Sequence, residues 1–324
     1  MLQIDNGGDG GDGGECPVIT DGAKSILRLL SQGTVVTADL ALEALLKKLG
    51  LDYQIDPVNG LSLRRELKLL NYAVIEPLIG PDASLNLLWE VDSTNRHVID
   101  SLQPGQTLVC IAEVQTAGRG RRGKHWISPF ARNIYLSVGK VLTVRMADLA
   151  GLSLVIGIEV AQLLRDKGCS CVGLKWPNDL LTSEGKLGGI LVELGSPGPE
   201  GIPVCVGIGL NVTSNTQGYD SIDQNISFLS DYMDVDRSIL AGEMAEKIIY
   251  AMANHGPESM NDYRLIWKNL NQFNGRKVQV SAAGKKVEGI DAGIDPQGRL
   301  ILHTANGIEY CIAGEVSVRA VNAE

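Results

Sequence analysis

Between Leu85 and Asn274 the chain alternates between runs that read as strands and runs that read as helices, and few architectures accept that order. Thr107–Glu113, Ile134–Val138, Cys171–Trp176, Gly189–Glu193 and Val204–Val212 are short, apolar and rich in β-branched residues. Asn95–Leu102, Leu149–Lys167, Arg237–His255 and Pro257–Leu270 carry helical periodicity. This pattern predicts a mixed α/β domain whose sheet is covered by helices on at least one face. Such sheets bind ligands in the loops at strand ends, which is where chemistry is to be sought.

The flanks differ in texture. Residues 6–14 are glycine and aspartate or asparagine only, a composition with nothing to bury, so residues 1–22 are expected to be a disordered tail. From Lys24 an apolar stripe of Ile26, Leu27, Leu29 and Leu30 predicts a helix ending near Gly33. Ala38–Leu49 predicts a second helix, and Leu51–Leu63 a strand pair. After Gly275, the pieces Lys277–Ala282, Lys286–Ile294, Leu300–Thr304 and Glu309–Ile312 are separated by Asp295-Pro296-Gln297-Gly298 and Asn306-Gly307 turns. Some fifty residues of that kind predict a small closed barrel.

The 324 residues carry a formal net charge of −9, which excludes a general nucleic-acid binder with a broad basic stripe. The beginning of the chain has no basic segment followed by an apolar core, and no apolar run reads as a membrane span, so a cytoplasmic location is expected. Six scattered cysteines fit neither a metal knuckle nor a disulfide framework and read as reduced, mostly buried thiols.

Against that acidic background, Gly118–Lys124 packs four basic residues and three glycines into seven positions, directly after a strand. Glycines let the backbone approach a ligand, and guanidinium groups match carboxylate and phosphate geometry. The segment reads as a clamp over an anion or as an exposed basic loop. In Leu174-Lys175-Trp176-Pro177-Asn178-Asp179, the proline should end the strand at Trp176 and place Asn178 and Asp179 at its carboxyl end, as a plain turn or as site residues. Lys186, in a glycine-flanked stretch seven residues on, returns a positive charge to the same sheet edge. Asp92-Ser93-Thr94-Asn95 reads equally as a helix cap or as a set of groups that grip a polar ring. Neither a phosphate loop nor a dinucleotide fingerprint is present.

Taken together these segments resemble the biotin protein ligases, also called biotin–[acetyl-CoA-carboxylase] ligases. The matching stretches are Asp-Ser-Thr-Asn at 92–95, Gln115 with Gly-Arg-Gly-Arg-Arg-Gly at 118–123, Lys-Trp-Pro-Asn-Asp-Leu at 175–180, Gly-Lys-Leu-Gly-Gly-Ile-Leu-Val-Glu at 185–193 and Gly-Ile-Gly-Leu-Asn at 207–211. The tail around Gly293–Leu300 resembles the family's C-terminal SH3-like domain. The resemblance implies an α+β/α/β organisation with a mixed-sheet catalytic domain over residues 84–272 and an SH3-like barrel over 274–322, preceded by a degenerate winged-helix module over 24–82.

By the same resemblance the chemistry is a two-step acyl transfer using ATP and Mg²⁺, with biotin as substrate. Biotinyl-5′-AMP forms first, and a lysine of the biotin carboxyl carrier protein of acetyl-CoA carboxylase then takes the acyl group. Ser93, Thr94, Asn95 and Gln115 are expected on the ureido end of biotin, and Arg119, Gly120 and Arg121 over its tail and the adenylate. Arg121 and Lys186 are expected to supply the positive charge of the first step, with Lys186 also touching biotin. Asn178 and Asn211 are expected to face the adenylate, and Asp179 to accept a proton from the incoming lysine or to orient it. No residue is assigned as a metal ligand. A homodimer through the edge of the catalytic sheet is a further arrangement the resemblance raises.

Some members of the family repress biotin-synthesis genes through an N-terminal winged helix-turn-helix. Here Val58–Leu63 and Leu69-Leu70-Asn71 look like the end of a wing and its linker, but the stretch between Gly33 and Leu63 holds one clear helix, so a recognition helix is expected to be missing. Residues 24–83 hold seven basic and seven acidic side chains, without the cationic excess that phosphate contacts need, which argues against specific operator binding. The rival readings are a biotin-responsive repressor and a lipoate or octanoate ligase of similar fold.

Overall fold

The computed structural model describes residues 19–214, 224–256, 258–282, 285–312 and 316–320. The Gly/Asp-rich stretch at 6–14 lies outside them. The first elements are α1 (Asp21–Ser31) and α2 (Leu40–Lys48), each started by a side-chain cap: Thr20 accepts from the Ala23 amide and Asp39 from that of Leu42. The hairpin of β1 (Tyr53–Asp56) and β2 (Gly60–Leu63) follows, with Val36 bridged to Leu61. No third helix lies between α1 and β1, in line with the shortened module read from the sequence. The buried faces of α1 and α2 share their core with Val114, Phe130 and Ala131 of the following domain, so this module is fused to the sheet rather than hung from it.

A short helix α3 (Tyr72–Ile75) leads into the central unit: β3 (Ala83–Val91), α4 (Thr94–Ser101), β4 (Thr107–Gln115), β5 (Ile134–Leu142), α5 (Leu152–Asp166), β6 (Gly173–Lys175), β7 (Asp179–Leu181), β8 (Lys186–Leu194), β9 (Ile202–Leu210), α6 (Arg237–Asn254) and α7 (Ser259–Leu270). Its seven strands lie in the order β3-β4-β5-β9-β8-β7-β6, with β3 parallel to β4 and the remaining pairs antiparallel. Strand alternation divides the side chains between two faces. Val109, Ile111, Leu136, Val138, Val206 and Ile208 join α5, α6 and α7 in the main core. Among the described residues, the helix packed on the opposite face is α4. Gly139 and Gly207 admit it there, since a Cβ at either would strike Val98 or Asn95.

Two sequence expectations shift. The Met146–Asp166 segment has the length and mean hydropathy, 1.6, of a membrane span, which the sequence reading passed over. Leu154, Val155, Ile156, Ile158, Val160 and Leu164 of this segment are buried, so its apolar character belongs to the protein core. The strand expected at Cys171–Trp176 is shorter, because the chain from Cys169 to Val172 is turned and β6 pairs only through Gly173–Lys175 with β7. The thiols follow expectation in part: Cys110, Cys169 and Cys205 are buried, while Cys171 and Cys311 are half-buried, and all five are free.

The last unit holds β10 (Lys277–Ala282), β11 (Lys285–Ile294), β12 (Leu300–Thr304), β13 (Gly307–Cys311) and β14 (Val316–Ala320) in the antiparallel order β13-β12-β11-β10-β14. This is the order of an SH3-like sheet, with β13 and β14 at its edges. Among the described residues no pairing closes it into the full barrel expected. Val278, Val280, Leu300, Leu302 and Val318 join the main core, and the Trp176 indole N–H donates to the Gly298 carbonyl at 3.0 Å, tying this unit to the end of β6.

Candidate active site

The site lies on the α4 face of the central sheet and begins with its floor. Gly189, Gly207 and Gly209 remove side chains from the middle of β8 and β9, leaving bare backbone. Trp126 fills part of that space: a Cβ on Gly209 would stand 2.3 Å from its ring, and one on Gly189 3.3 Å away. The indole N–H is buried without an acceptor among the described residues. The ring lies half-buried over the glycine floor.

At one end of the floor, the start of α4 delivers Ser93, Thr94 and Asn95, all buried. Ser93 occupies the cap position but its side chain makes no capping bond, so the cap reading of this stretch fails. The Thr94 amide donates instead to the Gln115 side-chain oxygen at 2.9 Å. The Gln115 amide nitrogen donates to Ser128 at 2.9 Å, and Ser128 donates to the Trp126 carbonyl at 3.1 Å. Ser137, on β5, lies 2.7 Å from the Thr94 hydroxyl and 2.6 Å from the Asn95 side-chain oxygen. Sequence reasoning missed Ser128 and Ser137, whose residue type and spacing carry no signal until the strands are aligned.

The basic loop folds back on itself as a narrow turn: Arg119 is bridged to His125, and the Gly120 amide donates to the Lys124 carbonyl at 2.7 Å. Arg122 and Gly123 hold the left-handed backbone conformation at its tip, with φ of 62° and 70°. Gly118 is required where it stands, since a Cβ would lie 2.5 Å from the Trp126 carbonyl. The turn sends Arg119 to Glu193, at 3.2 Å, and Arg121 to the Asn178 side-chain oxygen, at 2.9 Å. Burial lowers the pKa of the Arg121 guanidinium; Asp179 pulls it back up and Arg122 adds to the fall.

At the other end of the floor the cations converge on Asp179, the first residue of β7. Lys186 stands 2.8 Å from one of its oxygens and Lys175 2.9 Å from the other. The Lys186 ammonium is also 5.5 Å from the centre of the Trp126 ring, within cation–π range. Asn211, just past β9, donates to the Lys186 carbonyl at 3.2 Å and so braces the start of β8. Burial pushes the Asp179 carboxyl up, but Lys186 and Lys175 outweigh it and hold the group below the usual carboxylate range.

A depressed folded-state pKa means that the stability this carboxylate confers is fully present above its unfolded value and is lost as pH falls through the folded one. Asp179→Asn is therefore expected to cost about 2–3 kcal/mol at pH 7, somewhat below a fully buried pair because the lysines keep partial solvent contact. The penalty should begin to shrink below about pH 4, where the carboxylate of the unfolded chain takes up a proton, and go on shrinking as the pH falls towards the lower folded value. Urea unfolding of both proteins at pH 7 and pH 3 checks this.

The arrangement thus joins a buried polar pocket at the start of α4 to a cluster of fixed cations 

at the ends of β6 and β8, across a floor of glycine backbone. The residues expected from the sequence lie around it, Ser93 next to Thr94 in the chain and Asn211 against the Lys186 backbone. Gln115, Thr94 and Asn95 share one hydrogen-bond network, and Arg121, Asn178, Asp179 and Lys186 share the cationic end. Gly120 lies in the turn between them, and Lys175 and Glu193 complete the two ends.

Residues 90–212 match the Biotin/lipoate A/B protein ligase family model, and residues 273–319 match the Biotin protein ligase C terminal domain. The bifunctional ligase/repressor BirA of Salmonella typhimurium is 37% identical over 279 residues, covering 85% of this chain and 86% of that protein. A biotin–[acetyl-CoA-carboxylase] ligase of Mycobacterium tuberculosis is 35% identical over 246 residues, covering 72% of this chain and 88% of its own. Among solved structures, the biotin protein ligase of Aquifex aeolicus in complex with biotin and ATP superposes with a TM-score of 0.64 at 27% identity, over 74% of this chain and 99% of that one. With both units matched in order and more than a third of the aligned residues identical to a relative of similar extent, the chain belongs to the biotin protein ligase family.

Proposed function

We propose that this protein joins biotin to a lysine of a carrier protein through biotinyl-5′-AMP, at the expense of ATP and in the cytoplasm. The observation that carries the reading is the pairing of a buried polar network of Thr94, Asn95, Gln115 and Ser137 with a cation cluster on one glycine floor. Ser93, Thr94, Asn95 and Gln115 hold the ureido ring, and Arg119, Gly120 and Arg121 close over the tail. The biotin carboxylate then attacks the α-phosphate of ATP, and pyrophosphate leaves. Two anions meet in that step, so Lys186 and Arg121 act by placing positive charge where it is needed before the reaction begins. Asn178 and Asn211 position the nucleotide end. In the second step the carrier lysine attacks the mixed anhydride and AMP departs.

The paired lysines make Asp179 a poor proton acceptor, so of its two expected roles the orienting one is favoured: it fixes Lys186 and Lys175. Mg²⁺ fits as part of the ATP substrate only. It needs carboxylate or carbonyl oxygens, whereas both Asp179 oxygens are taken by lysines, and no cluster of three metal-ligating side chains occurs among the described residues. No step is therefore routed through a protein-held ion.

Exchange of ³²P between pyrophosphate and ATP, with biotin, lipoate or octanoate, tests the reading. Biotin-dependent exchange supports it; exchange with lipoate or octanoate alone moves the protein to the sister activity, which the matched C-terminal domain disfavours. The acceptor is proposed to be the biotin carboxyl carrier protein of acetyl-CoA carboxylase, and β3, the outer strand of the catalytic sheet, is the edge at which a homodimer would add strand to strand.

Among the described residues, two helices and a hairpin with balanced charge, packed into the catalytic domain, argue against a separate reading head for DNA. A gel-shift titration with a biotin-operon promoter fragment, in biotinyl-AMP and low salt, is expected to give the same weak retardation as unrelated DNA. Tight, sequence-selective binding would restore the repressor reading.

A further inference from the structure

Glu193, the penultimate residue of β8, divides its carboxylate between the two halves of the ring pocket. Oε2 accepts from the Asn95 amide nitrogen at 2.8 Å, and Oε1 faces the Arg119 guanidinium at 3.2 Å. Proton accounting along the network then leaves little freedom. An ionised carboxylate only accepts, so Asn95 must turn its NH₂ towards Glu193. Its second N–H reaches the Leu191 carbonyl at 3.3 Å, and its oxygen is left facing Ser137 at 2.6 Å. That contact needs a proton, which only Ser137 can give. Ser137 has a single O–H, so at the 2.7 Å contact with Thr94 the threonine hydroxyl must be the donor. The neighbouring Cys205 thiol, kept protonated by burial with Glu193 beside it, also hydrogen-bonds Ser137; as an S–H donor it adds to the bonds that the Ser137 oxygen accepts and leaves the Ser137 proton for Asn95.

The chain of hydrogen bonds therefore runs Thr94 to Ser137 to Asn95 to Glu193, with every proton pointing towards the carboxylate. Its proton committed to Ser137, Thr94 gives none to the Gln115 oxygen 3.1 Å away, which keeps the Thr94 amide as its donor, and the threonine has lone pairs but no proton to offer a ligand. Gln115, whose oxygen accepts from the Thr94 amide and whose nitrogen gives one hydrogen to Ser128, keeps one N–H in hand. An acceptor beside a donor is the complement of a cyclic urea, which presents N–H next to C=O.

We propose that Glu193 is the positioning residue that sets the hydrogen-bond polarity of this pocket and anchors the basic loop over it through Arg119. The proposal rests on the biotin-ligase reading and adds to it the source of the pocket's selectivity for a urea. A buried network whose members each have one allowed orientation is more selective than the same groups free to turn.

Glu193→Gln removes the constraint, because an amide can present either a donor or an acceptor to Asn95. Biotin binding by calorimetry is expected to weaken by roughly 30-fold, about 2 kcal/mol. KM for biotin in pyrophosphate exchange should rise in step, with kcat within about threefold, the pattern of lost ground-state positioning. Asn95→Asp sets two carboxylates against each other and is expected to weaken binding at least as much. Combining Asn95→Asp with Glu193→Gln restores the polarity, since the new amide donates to the new carboxylate, which still accepts from Ser137. The double variant should recover to within about fivefold of wild type.

Losses that simply multiply in the double variant, or wild-type affinity in Glu193→Gln, would overturn the proposal. So would unfolding of Glu193→Gln that the second substitution does not relieve. A wild-type protein that binds no biotin would instead overturn the function on which the proposal rests, and is told apart by being measured first.

Discussion

Lys186→Ala is expected to lower biotin-dependent ATP–pyrophosphate exchange by more than about 100-fold, roughly 2.7 kcal/mol of transition-state stabilisation. The ammonium is held on three sides: by an Asp179 oxygen at 2.8 Å, by the Trp126 ring at 5.5 Å, and by a backbone fixed through Asn211. It is thus pre-oriented at the end of the glycine floor where an acyl carboxylate and a phosphate must meet, and it pays no reorganisation cost at the moment of reaction. Alanine removes that charge but leaves Lys175 on Asp179, so no buried carboxylate is orphaned and the melting temperature should change little. A loss mainly in kcat marks an interaction made in the transition state; a rise in KM alone would mark one made equally with bound biotin. A fall of less than about tenfold in kcat/KM would remove Lys186 from the catalytic centre.

The pieces legible in the sequence are those whose information is local. α5 and α6 are announced by long apolar periodicities, and the turn at Asp295–Gly298 by its residue types. The glycines and arginines of 118–124 betray a loop built for close approach, and Lys186 stands out because a glycine-flanked stretch returns its charge to the sheet edge that carries Asn178 and Asp179. What stayed hidden depends on register. Glu193 ends an apolar strand and looks like its solvent-exposed stop; it becomes a site residue only because β8 pairs with β9 so that Leu191 faces Gly207, where Asn95 rests. Lys175 is likewise an ordinary strand residue until β7 returns Asp179 beside it. β8 itself begins at Lys186, three residues before the expected start at Gly189. The sharing of a core between α1, α2 and the catalytic sheet was equally invisible, since an apolar stripe does not say what it packs against.

Arg237→Met is expected to cause the largest loss of stability, about 3–5 kcal/mol. Arg237 opens α6 and Glu113 lies on β4; both side chains are only 5% exposed and meet at 2.8 Å. The guanidinium also donates to the carbonyls of Asn133 at 2.8 Å and Lys68 at 2.6 Å, while the second Glu113 oxygen accepts from the Leu70 amide at 2.5 Å. One ion pair thus fastens the segment after the N-terminal module, the central sheet and α6 together. Methionine fills the volume but leaves a buried carboxylate without its cation, and the cost is that of the stranded charge rather than of the bond alone. For a chain of this size the melting temperature should fall by roughly 10 °C. Adding Glu113→Gln removes the stranded charge while an amide oxygen can still accept from Leu70, so the double variant should be the more stable of the two by about 1–2 kcal/mol. That order separates the two explanations: if Arg237→Met acted by spoiling the packing of α6, the second substitution would lower stability further instead of restoring it. Because Gln115 follows Glu113 by two residues, the single variant should also weaken biotin binding, and the double variant should regain affinity together with stability.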